Sequence, residues 1–368
     1  MRRSTHSAFI VLVAVCISGC RGTDRHHRNA EDSETADADA DLPGGDEDMK
    51  PADADADLSN GDEDDADALD SLELDAEETL GRDTEDYPDE SAELEPEDGK
   101  AEAPDCLDEP FTGDYTIQTQ ADLEFIARYR TIAGSLSIRQ SDLEQLRTAI
   151  CLTSIEGDLN ISDNTHLTDV ASLESLVFIG RTLHVDYNDS LVDLSGLENL
   201  THIGDMISIE WNISLVSLPV FAALSPAIGS LWIIMNVSLS SLDGLERIAS
   251  VDGVAVIWRN PALTDVDGLS GLTEVSRDLE LSENQSLAHL DGLSSLRSVG
   301  EYLIMESNDT MTNIEGLLSL EYLGRNLLID DNAELPTCQA EAVRDSLIAK
   351  GWTGDAEIHG NGEGECEP

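Results

Sequence analysis

Leu279-Glu-Leu-Ser-Glu-Asn284-Gln-Ser-Leu287-Ala-His-Leu290-Asp-Gly-Leu293-Ser-Ser-Leu296-Arg-Ser-Val299-Gly300 is one unit of a repeat. Its asparagine returns every 24 residues without a slip, at Asn164, Asn188, Asn212, Asn236, Asn260, Asn284, Asn308 and Asn332. We count each unit from its asparagine as position 0. Positions -5 and -3 are apolar in nearly every unit, as in Leu183/Val185, Ile207/Ile209 and Leu327/Ile329. That period of two predicts a short strand with one face buried. After the asparagine, apolar residues recur every third place: Leu191, Leu194, Leu197, Leu200 and Ile203, for example. Period three suits a backbone that turns corners around a core, pointing one side chain inward at each step. Gly180, Gly204, Gly300 and Gly324 precede the next strand, where a tight bend is expected to need freedom in φ.

The period therefore predicts a mainly β fold, a solenoid of about nine 24-residue coils stacked strand on strand. At roughly 4.8 Å per strand the stack is about 43 Å long. The asparagines form an internal ladder whose amides pair along the stack and with buried turn carbonyls. The ladder begins imperfectly one coil early, at Leu136-Ser-Ile138 with Gln140, one residue out of step. The coil from Asn212 departs most from the pattern, with Pro219 and Pro226, and is expected to deviate locally.

The N-terminus carries an address. Arg2 and Arg3 precede an apolar run, Ala8 to Ser18, too short to span a bilayer but suited to a secretory signal. Ile17-Ser18-Gly19-Cys20 resembles the lipobox of bacterial lipoproteins. That resemblance implies a signal peptide over residues 1–19 and acylation of Cys20. Several acyl chains would anchor the protein stably, and by the same resemblance Arg21 after the cysteine, rather than Asp, implies the outer membrane over the inner. Residues 20–104 then form an acidic stretch. Between Glu31 and Pro104 there are 32 acidic residues against Lys50, Arg82 and Lys100. Such a chain cannot bury enough surface to offset its ordering entropy, so a disordered tether is expected. Its Ala-Asp-Ala-Asp-Ala-Asp-Leu repeats (Ala36–Leu42, Ala52–Leu58) lack the offsets of an EF-hand calcium loop.

Residues 105–368 are the solenoid with its caps. Thr119-Gln-Ala-Asp122 opens a capping box ahead of Leu123 and Ile126. At the far end a helical run from Cys338 to Lys350 stops at Gly351. With Cys16 in the signal and Cys20 lipidated, Cys106, Cys151, Cys338 and Cys366 remain, and in an exported chain two disulfides are expected. Three pairings exist; Cys106–Cys151 with Cys338–Cys366, one staple per cap, is favoured. Gly113-Asp-Tyr-Thr-Ile117, Asp122-Leu123 and the Leu-x-Ile-x-x-Asn-x-x-Leu blocks resemble the receptor L-domain of insulin- and EGF-receptor ectodomains and related leucine-rich proteins. The resemblance implies a right-handed β-helix with helical caps that recognises proteins.

The net charge of -57, with 77 acidic residues against 20 Lys and Arg, argues against meeting phosphates, so nucleic acid is not an expected partner. No catalytic constellation or cofactor motif is present. His166, His184, His202 and His289 fall in four different columns, so no metal site is expected from them. Asp243, Asp267, Asp291 and Glu315 share one column; stacked carboxylates could hold calcium, but Asp before Gly is ordinary turn chemistry, which is preferred. Asn-x-Ser/Thr sequons at Asn188 and Asn212 arise from the ladder itself. Positions -4, -2 and -1 should face outward. In the middle coils these are Tyr187, Trp211, Trp232, Ile234, Met235, Val256 and Trp258 with Arg259, an aromatic face of hot-spot composition. The expected function is therefore a non-enzymatic recognition or adhesion module, anchored to the membrane by lipid and binding a protein or glycan. The alternatives are a polysaccharide-active β-helix enzyme, disfavoured by coils too constant in length to wall a cleft, and a structural envelope protein.

Overall fold

A computed structural model describes residues 105–364 and Cys366, apart from Arg147 and Ala149. The signal segment 1–19, Cys20 and the acidic stretch to residue 104 lie outside the described residues. The chain winds into a parallel β-solenoid. One side is an eleven-stranded sheet running from Tyr115–Ile117 to Ala356–His359 in chain order. Each strand pairs in parallel with the one a coil away: Leu183 sits over Leu159 and under Ile207, Val185 over Ile161 and under Ile209. The 24-residue spacing is therefore a physical register, as the period predicts.

The period-three residues point inward. In one coil Leu183, Val185, Leu191, Leu194, Leu197, Leu200 and Ile203 are all buried, each stabilising the fold by about 1.5–3 kcal/mol. A single coil has no second layer to pack against, so these side chains meet only when coils stack. The segment after the asparagine includes single 3-10 turns, such as Asp267–Leu269 and Asp291–Leu293, and then two-residue strands. The latter build a second wall in two pieces, a four-stranded sheet ending at His202–Ile203 and a five-stranded one starting at Ala227–Ile228. The break falls in the irregular coil. Ile203 and Ile228 are 25 residues apart rather than 24, and Ile228 and Val251 are 23, so one residue is inserted and then withdrawn. The main sheet keeps its register throughout.

At position -1 of every coil the backbone turns left-handed. Gln140, Asp163, Tyr187, Trp211, Met235, Arg259, Glu283, Ser307 and Asp331 all have φ between 48° and 58°. This corner swings the following asparagine inward, and it costs an L-residue about 1 kcal/mol that glycine avoids. Ser307→Gly is expected to raise stability by about 1 kcal/mol, measured by urea denaturation; a loss of stability would show that the corner is unstrained. The glycines before the strands do something else. Gly180, Gly204, Gly300 and Gly324 are not among the positive-φ glycines, so the expected need for backbone freedom is wrong there. A Cβ on Gly300 would overlap the carbonyl oxygen of Ser276, and one on Gly180 that of Glu156. What those positions require is close approach between coils. Gly300→Ala is expected to cost about 2–3 kcal/mol through overpacking against backbone.

Both ends are covered. Helix α1 (Gln120–Ile126) has the predicted capping box, with Thr119 accepting from the Asp122 N–H and the Asp122 carboxylate accepting from the Thr119 N–H. It buries Leu123 and Ile126 over the first coil. Helix α2 (Thr337–Ala349) buries Ala340, Val343 and Leu347 over the last, and Gly351 follows at φ 96°. The disulfides are Cys106–Cys151 and Cys338–Cys366, the favoured pairing, one at each end. No helix among the described residues is long and apolar enough to cross a membrane.

Candidate recognition surface

The asparagine ladder sets the geometry of the surface above it. Asn164 to Asn332 are fully buried, including the sequon residues Asn188 and Asn212. Each amide donates to the carbonyl of residue -3 in the preceding coil; Asn188 Nδ2 meets Ile161 O at 2.8 Å. Each amide oxygen accepts from the backbone N–H and the amide of the preceding asparagine, as in Asn188 to Asn212 at 3.1 and 3.0 Å. The ladder is longer than the period reveals. Ser141, not Gln140, holds the first rung, and its N–H and hydroxyl donate to Asn164 Oδ1 at 3.1 and 2.8 Å. Asn361 holds the last, accepting from the Asn332 N–H at 3.2 Å and donating to Ile329 O at 2.8 Å. The first coil is one residue short, and the last contains α2, so spacing misplaces one rung and misses the other.

Of the residues expected to face outward, only some do. Tyr187 and Trp211 are exposed, 39% and 37%, with their rings stacked at 5.6 Å and 10°. Trp232, Trp258, Met235 and Arg259 are half-buried. Ile234 (4%) and Val256 (6%) are buried, which corrects the expectation of an exposed patch there. The reason is the small rise between rungs. Ile234 lies in register between Glu210 and Trp258, and strands about 4.8 Å apart let large neighbours close over the side chain between them. Arg259 is not a free cation either. Its guanidinium lies 4.2 Å over the Trp258 ring and pairs with Glu283 at 2.6 and 3.2 Å, while the Trp258 indole N–H donates to the same carboxylate at 3.2 Å. The Trp232 indole N–H is buried without an acceptor.

In these middle coils exposed apolar side chains instead wrap the left-handed corner. Ile213 and Val237 at position +1, and Val192 and Val216 at position +4, are all more than 40% exposed. Val216 stacks on Val192 through a backbone hydrogen bond, as Trp211 does on the strand-end of the next coil at Ile234. Together with Tyr187 and Trp211 they make a patch confined to three successive coils. The signal was present in the columns: elsewhere position +1 is Thr165, Asp189, Pro261, Gln285, Asp309 or Ala333, and position +4 is Thr168, Ser240, Thr264, Ala288, Thr312 or Pro336, none of them a large aliphatic residue. Reading only strand positions passed over it.

Polar clusters flank this patch. His184 Nδ1 lies 3.0 Å from Ser208 Oγ and its Nε2 lies 3.3 Å from Asp186 Oδ2. The order serine, histidine, carboxylate matches a nucleophile, its base and an orienting acid. The serine is misdirected for that role, however: it is fully buried and donates to Glu210 at 2.6 Å. On the other side of the aromatic residues Glu280 is buried between Val256 and Ile304, its register neighbours. Burial, and secondarily the charges of Glu306, Asp278 and Glu283, push its carboxyl up to about 8.

Glu306, Asp330 and Asp331 bring carboxylate oxygens within 4.8 Å of one another, a donor set suited to a hard divalent cation. Spacing missed it because Glu306 and Asp330 share a column whereas Asp331 lies on the adjacent corner. Burial first, and then the Asp331 charge, raise the Asp330 pKa. The Asp243, Asp267, Asp291 and Glu315 column makes no comparable group among the described residues; Asp267, Asp291 and Glu315 open 3-10 turns, in line with the turn reading. Of the four histidines, His202 stacks on Phe178 at 4.8 Å.

In comparisons with family models, curated proteins and solved structures, no match emerges.

Proposed function

We propose that the chain is a cell-surface recognition or adhesion module, a head of receptor L-domain type held by acylated Cys20 and an acidic tether in the bacterial outer membrane. It binds a protein or glycan partner and catalyses no reaction. The observation that carries this reading is the patch of Tyr187, Trp211, Ile213, Val192, Val216 and Val237, six exposed apolar side chains on three successive coils of a strongly acidic chain. Water-exposed apolar surface of this kind is retained where a partner covers it. Aromatic anchors dominate such contacts, each contributing about 2 kcal/mol or more.

Tyr187→Asn with Trp211→Asn tests the reading, because asparagine tolerates the left-handed φ of 53° and 57° at these corners. Capture of partners by the immobilised chain, in parallel on surface-protein extracts and a glycan array, should fall at least about tenfold with the fold intact by circular dichroism. Unchanged capture refutes the patch. Any glycan bound should be returned chemically unaltered; turnover would favour the polysaccharide-active enzyme. Cys20→Ser should release the protein from the membrane fraction.

A further inference from the structure

We infer that the corner patch takes a basic polypeptide segment, one that presents an aliphatic or aromatic side chain flanked by lysine or arginine. The inference rests on the recognition reading and names the chemistry of its partner. Three features select it. First, the exposed centre is mostly aliphatic: Ile213, Val237, Val192 and Val216 offer neither donors nor acceptors to the hydroxyls of a sugar. Tyr187 and Trp211 stack on each other at 5.6 Å, so the ring faces they turn toward one another are closed to a flat ligand. What such a surface receives well is an apolar side chain.

Second, the rim is acidic. Asp163 and Glu210 are half-buried and Asp189 is exposed around the patch. The nearby guanidinium of Arg259 is consumed by Glu283 and Trp258. A ligand carrying positive charge meets attraction at this acidic rim, and a negative one repulsion.

Third, the same charge argues against the occupants already at hand. A second copy of this chain carries -57, and residues 31 to 104 carry 32 acids against three bases. Bringing either onto an acidic rim opposes like charges at short range. A basic partner gains where these lose.

The test uses the full chain and three synthetic probes: an amphipathic Lys/Leu peptide, its Glu/Leu counterpart, and a neutral β-glucan oligosaccharide. Binding is read by calorimetry at low and high salt. The Lys/Leu peptide should bind, more weakly at high salt. The Trp211→Asn/Ile213→Ser variant should weaken it at least about tenfold. Tyr322→Ser, which removes an exposed ring from the opposite wall, should leave it unchanged. Thermal melts matching the parent establish that both variants are folded. Lys/Leu binding that survives the double substitution, or that Tyr322→Ser weakens as much, would reflect diffuse attraction to an acidic protein and overturn the inference. Patch-dependent binding of the Glu/Leu peptide or the oligosaccharide overturns it too, while leaving the recognition reading standing. If no probe binds, the inference falls, and the recognition reading is decided by the capture assay alone.

Discussion

Asn236→Ala is expected to cost about 4–5 kcal/mol, one of the two largest effects of any single substitution considered. Asn236 is fully buried in the middle of the ladder. Its amide donates to Ile209 O at 2.8 Å, and its oxygen accepts from the Asn212 N–H and the Asn212 amide, both at 3.2 Å. Alanine leaves a carbonyl and an N–H stranded inside the solenoid and weakens a third group. Each buried orphan costs about 1–3 kcal/mol because neither water nor another side chain reaches it. The matching substitution at the half-buried end, Asn361→Ala, should cost only about 1–2 kcal/mol, since solvent can replace the lost partner. Urea denaturation of both variants checks the contrast. Equal losses would mean that the amide column is not the source of the stability.

Glu280→Gln is expected to stabilise the protein at alkaline pH by about 5 kcal/mol. The folded-state carboxyl titrates at about 8 against an ordinary 4.5, because burial disfavours its charged form. Between those values the unfolded chain has released the proton and the folded one retains it. Stability contributed by the folded state therefore falls as pH rises from about 4.5 to about 8, at roughly 1.4 kcal/mol per unit. This is opposite to the usual carboxylate, whose depressed folded pKa favours the fold at higher pH. Glutamine keeps the shape and removes the proton, so the variant should match the parent near pH 4.5 and exceed it increasingly up to pH 8. Denaturation curves across that range decide it; parallel pH profiles for the two proteins would show that Glu280 ionises without penalty.

The solenoid could be read from the chain because a fixed spacing leaves little freedom. Once Asn164 through Asn332 recur without a slip, strand must lie over strand, and the inward columns follow from their periods of two and three. The capping box at Thr119 and Asp122 was equally legible, since it depends on residues three apart. Interruption of the period hid the rest. The short first coil moved the ladder position from Gln140 to Ser141, and α2 separated Asn361 from Asn332 by 29 residues. The glycines were recognised, yet their reason was misread: φ is a local property, whereas the overlap at Gly300 involves an atom of Ser276 one coil away.

The surface marks the same division. The sequence by itself determined the period, the core columns, the caps and which coils carry aromatic residues, because these depend on residue type at set intervals along one chain. Only the tertiary structure decided that Ile234 and Val256 are closed over, that Arg259 is spent on Glu283, and that Ile213, Val192, Val216 and Val237 continue the exposed patch around the corner. Burial and pairing are fixed by what stands one rung above and below, and by the left-handed bend at position -1, so they exist only once the coils are stacked.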